Sequence, residues 1–138
     1  MLEVPGTLRA MRDFMVARRL EELIVYQLGD ELRTKVYALT ETPRVANDRK
    51  FCDQIRDAAS SVTRNTAEGF GRYRHKEFAQ FLTIARGSAF EVREHLRDGL
   101  KRKYWASEAI EDSDRLCLRT IAATTRLIRY LRSHPDVP

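Results

Sequence analysis

Asp53-Gln-Ile-Arg-Asp-Ala-Ala-Ser-Ser-Val-Thr-Arg-Asn-Thr-Ala-Glu-Gly-Phe-Gly-Arg72 leads, four residues on, into Lys76-Glu-Phe78 and then Ile84-Ala-Arg-Gly-Ser-Ala-Phe-Glu91. On the near side Ile55, Ala58, Val62, Asn65 and Gly69 recur at three- and four-residue steps; on the far side Phe78, Leu82, Ala85 and Ala89 do the same. That spacing puts each set on one face of an α-helix. Between the two, Gly69-Phe-Gly71 offers the permissive backbone that a short helix-to-helix connection needs. The stretch therefore reads as a helical hairpin, and the rest of the chain as its partners.

Downstream, the far stripe continues through Val92, Leu96 and Gly99 in alternating steps of four and three. This heptad period marks helices that stay in contact over their whole length, and it predicts a helix over about 75–103. Gly87, Ser88 and Ala89 thin its middle. The glycine alone costs up to about 1 kcal/mol against alanine, a cost that close approach of another backbone would offset. Upstream, Phe51 extends the near stripe and Asn47 or Asp48 can cap its first turn, giving a helix over about 47–70. Leu20, Ile24, Leu28, Leu32, Val36 and Leu39 predict a first helix over about 8–39, which Thr40-Glu-Thr-Pro43 ends. Ser107 as a cap, followed by Ile110, Cys117, Ile121, Thr124, Ile128 and Leu131, predicts the last helix over about 107–133, stopped at His134-Pro135. Four such helices on short connections predict one domain over residues 1–138, an all-α, antiparallel up-down-up-down four-helix bundle.

Leu23, Val25, Tyr26, Tyr37, Phe81, Phe90, Leu116, Leu118 and Leu127 lie off these stripes. A lone bundle has no place for a second apolar face on several helices, so the expectation is association with further copies of the chain. The up-down topology would gather Arg9, Arg12, Arg18, Arg19, Arg72, Arg74, Lys76, Arg126, Arg129 and Arg132 at one end, interleaved with Phe70 and Tyr73. Arg97, Lys101, Arg102 and Lys103 at the other end meet Glu108, Glu111, Asp112 and Asp114. With a formal charge of +5 and cations that are mostly arginine, the first end suits an RNA or DNA phosphate backbone. The same arginines could instead meet acidic protein side chains, or form a solvated face that complements the last helix's dipole.

Chemistry is scarcer. Cys52 and Cys117 stand far apart within apolar stripes, as buried reduced thiols do. Glu91 and His95 are four apart and alone, short of the paired Glu-x-x-His motifs of a di-iron bundle. No phosphate-binding glycine loop, serine triad or zinc spacing occurs, so the expectation is a non-enzymatic protein without metal or cofactor. Arg129 and His134 have the Arg-x4-His spacing of small helical ribonucleases, but Tyr130 follows the arginine and a proline follows the histidine. No stretch approaches the roughly 20 apolar residues of a membrane span, and the start lacks a signal-peptide pattern, so a cytoplasmic protein without a membrane partner is expected. Asn65 can fix helix register, and Glu68 and Arg72 stand four apart in the favourable acid-first order.

Taken in order, Leu23-Ile-Val-Tyr26, Val36-Tyr37, Gln54-Ile-Arg56, Ala58-Ala59, Asn65-Thr-Ala-Glu-Gly69, Gly71-Arg72, Lys76-Glu-Phe78, Phe81-Leu82, Ile84-Ala85 and Gly87-Ser88 resemble a known signature. It is that of the bacterial four-helix bundle proteins related to the ribosomal RNA intervening-sequence proteins. The resemblance spans roughly Leu20 to Trp105. It implies a homo-oligomer, a pentamer arranged as a ring, of poorly defined role. Similar accessory proteins of diversity-generating retroelements partner a reverse transcriptase and its RNA, and other relatives are encoded within large-subunit ribosomal RNA genes. Two positions depart from the pattern: Val62-Thr63 stands where the family commonly carries Ile-Pro, so its proline kink is not expected here, and Arg74 stands where a serine or threonine often caps the third helix.

Overall fold

A computed structural model describes residues 8, 9, 12 and 17–136. Among them the chain is helical throughout, without strands: α1 (Ile24–Thr40), α2 (Pro43–Ala46), α3 (Arg49–Phe70), α4 (His75–Lys101) and α5 (Ser107–Ser133), with a 3-10 turn at Leu20–Glu22 before α1. α3 packs on α4, α4 on α5, and α1 on both α3 and α5. Their facing residues form a core in which Leu23, Leu32, Val36, Ile55, Val62, Leu82, Val92 and Leu96 are wholly buried. The heptad stripe of α4 is buried from Phe78 to Gly99. The continuous α3 agrees with a helix freed of its proline: Thr63 lies inside the core with its hydroxyl donating to the Ser60 carbonyl at 3.1 Å.

The first predicted helix is not one helix. Leu8, Arg9 and Arg12 are helical, but Arg19 and Leu23 have extended backbones on either side of the 3-10 turn, and α1 begins only at Ile24. The cause is local competition for backbone groups: the Glu22 carboxylate accepts from the Arg18 amide at 2.8 Å and from Arg19 Nε at 3.4 Å, a side-chain alternative to the helical ladder. Pro43, expected only to stop a helix, occupies the first turn of α2, where its missing N–H is no loss.

Caps also moved. Asp48 caps α3 as expected, accepting from the Phe51 amide at 3.2 Å. Ser107 does not cap α5; the cap position is Ala106, without a side-chain bond. α4 stops at Lys101, where Lys103 (φ 61) reverses the chain and Trp105 folds back over Gly99. The α3–α4 turn does not use glycine freedom: Gly71 has an ordinary φ of −70, and the left-handed residue is Tyr73 at φ 57. Gly69 instead lies inside α3, where an added Cβ would sit 2.7 Å from Phe81 Cβ and 2.8 Å from Phe78 Cδ1.

The apolar surplus is smaller than the stripes imply. Leu23, Val25, Leu116 and Leu127 are buried within one chain, because α1 and α5 each face two neighbours. Tyr37 is partly exposed but engaged, its hydroxyl 2.8 Å from Ser60 Oγ and its ring under Arg56. What stays exposed on α4 and α5 is Ile84, Phe90 and Leu118. Gly87 lies between the first two in sequence, and its absent side chain would meet nothing within 4 Å.

Candidate nucleic-acid interface

The start of α4 and the end of α5 are tied together. His75 donates its amide to Asp136 Oδ2 at 2.9 Å, and its ring Nδ1 meets the His134 carbonyl. Arg74 therefore leaves α4 without a side-chain cap of its own, and Asp136, sixty-one residues on, takes the first amide. Two clefts open beside this junction, and a third lies between α1 and the middle of α5. Arg18, Phe70, Tyr73 and Arg74 line one of about 290 Å³. Lys76, Gln80, Leu131 and Arg132 line a second. Arg9, Arg119 and Arg126 surround a third, over an apolar floor that includes Ile24, Val25 and Leu28.

The expected cations divide into two groups. Arg72 pairs with Glu68 at 2.8 Å and stacks over the Phe81 ring at 5.3 Å, and Arg19 pairs with Glu22. Arg9, Arg12, Arg18, Arg74, Lys76, Arg126, Arg129 and Arg132 form no ion pair among the described residues, and only Arg126 of these is half-buried rather than exposed. Arg132 reaches the Thr83 hydroxyl at 3.5 Å. Arg119 belongs with them: it is exposed, unpaired and two helical turns from Arg126 on one face of α5. The i, i+7 spacing of Arg119 and Arg126, with Ala122 and Ala123 between, was the signal in the sequence.

At the far end Asp112 and Asp114 are engaged, though with other partners than the loop suggested, while Glu108 and Glu111 form no ion pair among the described residues. Arg102 pairs with Asp48 at 3.2 Å and Asp98 at 3.0 Å, Arg93 with Asp114 at 2.8 Å, Arg115 with Asp112 at 3.1 Å, and Arg97 approaches Glu94. The Tyr104 hydroxyl, and then the Phe51 amide, hold Asp48 below the ordinary carboxylate value.

The motif residues hold the helices together. Asn65 donates to both the carbonyl and the hydroxyl of Ser61 at 2.9 Å, and Ser61 Oγ meets Ser88 Oγ across the α3–α4 interface at 2.7 Å. Ser88 also donates to the Ile84 carbonyl. Glu68 serves Arg72, and Gly69 admits the two phenylalanines. Gly87 has no such role inside the chain, where an added Cβ would meet nothing within 4 Å.

Cys52 and Cys117 are buried and unbonded to each other; burial pushes the Cys117 thiol up to about 12, so it stays protonated at neutral pH. Glu91 and His95 lie 3.6 Å apart, and among the described residues no three His, Cys, Asp or Glu side chains gather as a metal site. His134 is committed to its own helix end: Nδ1 contacts the Tyr130 carbonyl at 2.9 Å and the ring lies 4.3 Å from that of Tyr130, while Arg129 is exposed. No helix among the described residues is long and apolar enough to cross a membrane.

The family model described as 23S rRNA-intervening sequence protein matches residues 21–125, which span α1 to α4 and most of α5. No curated protein matches the chain.

Proposed function

The chain belongs to the 23S rRNA-intervening sequence protein family, and from that premise we propose that it is a non-enzymatic, nucleic-acid-binding accessory factor. Its four long helices form an antiparallel up-down-up-down bundle. Contacts of residue 61 with 88, 69 with 78 and 75 with 134 support that order. Copies of the bundle associate, as a pentameric ring by resemblance, through the outward strip of Ile84, Gly87, Phe90 and Leu118. The glycine supports this choice: it weakens a long helix and gains no packing inside the chain, so a second copy lying over it would supply the missing compensation.

The observation that carries the binding role is that arginines without an ion pair among the described residues line all three clefts: Arg18 and Arg74 in one, Arg132 in the second, and Arg9, Arg119 and Arg126 in the third. Solvated guanidinium groups that neutralise phosphates release counterions, and ring symmetry multiplies each of them. Partners of this kind include RNA, DNA, or a reverse transcriptase carrying its RNA.

Titration of fluorescent single-stranded RNA and DNA at two salt concentrations tests the reading. Affinity should fall as salt rises, and replacing Arg9, Arg119 and Arg126 together by glutamine should lower the slope of log affinity against log salt by about 2 per chain, at about 0.7 per lost phosphate contact. Absent or salt-indifferent binding would hand these arginines to the rival reading, an acidic protein partner.

A further inference from the structure

Tyr73 is the most exposed large hydrophobic side chain among the described residues, at 86%, and it holds a left-handed backbone at φ 57. A tyrosine there is strained where glycine or asparagine is not. The fold draws nothing visible from the ring: it makes no hydrogen bond or ring contact among the described residues. Arg72 on one side is held by Glu68 and Phe81, but Arg74 on the other is unpaired, and Arg18 faces the same cleft. Phe70 and Phe78 form its apolar wall, edge to face at 6.1 Å, and no carboxylate lines it among the described residues.

An exposed aromatic face, an apolar wall and two free guanidinium groups fit one nucleotide whose base is not paired. The flat ring takes the base, and the cations take the phosphates on either side. A duplex hides its base faces inside the stack, so it could use the arginines but not the tyrosine. We propose that Tyr73 is a stacking platform for an unpaired base of single-stranded nucleic acid, with Arg18 and Arg74 holding the flanking phosphates. This rests on the nucleic-acid reading above.

The test compares a single-stranded RNA oligonucleotide with its duplex at one low salt concentration, using the whole chain and the variants Tyr73→Phe, Tyr73→Ala and Tyr73→Gly. Single-strand affinity should survive Tyr73→Phe and fall about 5-fold or more in Tyr73→Ala and Tyr73→Gly, with duplex affinity unchanged. Tyr73→Gly should melt no lower than the parent, since it relieves the strained backbone while losing the platform. Undiminished single-strand binding by both truncated variants would overturn the stacking role and leave the nucleic-acid reading intact. A parent chain that binds neither strand form would overturn both. A lowered melting temperature in Tyr73→Gly would assign the ring to the fold and overturn the platform.

Discussion

Gly99 shows how far single residues could be read. The heptad stripe places it correctly on the buried face of α4, yet nothing near it in sequence says why the position is a glycine. The reason lies beyond the helix end: a Cβ at Gly99 would come within 2.2 Å of the Trp105 ring, whose indole nitrogen donates to the Leu39 carbonyl at 3.1 Å. Gly99→Ala should therefore destabilise the chain by about 1–3 kcal/mol through overpacking, despite alanine's better helix propensity, measurable as a lower denaturant midpoint. An unchanged midpoint would mean that the indole moves aside freely. Asp48 was legible because an N-cap acts within three residues. Asp136 was not, because its bond to the His75 amide joins positions far apart in sequence and depends on the ends of α4 and α5 meeting. The left-handed backbone of Tyr73 was hidden for a local reason: a glycine-flanked turn gives no sign that the left-handed residue would be its tyrosine.

At the scale of elements, α3 and α4 follow their apolar periods closely, while α5 buries its stripe and, facing two neighbours, Leu116 and Leu127 beside it. The first helix misled because periodicity from Leu20 onward continues through residues whose backbone is diverted by one glutamate. Apolar spacing reports which side chains face inward and is blind to a side chain competing for an amide. α4 carries the clearest test of what lies outside a single chain. Gly87→Ala adds a methyl to open space, so the separated chain should gain up to about 1 kcal/mol of stability from helix propensity. If another copy lies against that face, the same methyl should weaken association. Melting at high dilution and molar mass at high concentration should then move in opposite directions; association left intact would remove Gly87 from the interface.

At the scale of the whole molecule, class and core were legible, and the grouping of cations was legible in part. Helical period and scarce turns dictate an all-helical chain, but exposure depends on how many neighbours each helix has. The off-stripe Leu23, Val25, Leu116 and Leu127 vanish into one chain's core, which leaves Ile84, Phe90 and Leu118 to carry the case for association. Arg119 escaped notice for the same reason, since its groove exists only where α1 lies against α5. The proposed ring gives these facts one function: it covers the outward strip and repeats the unpaired arginines around an axis, where they can follow a phosphate backbone. Light scattering on the eluting peak of a size-exclusion column tests it most directly. The ring predicts a mass near five times the 16.1 kDa of one chain at micromolar concentration, whereas a mass of 16.1 kDa would contradict it.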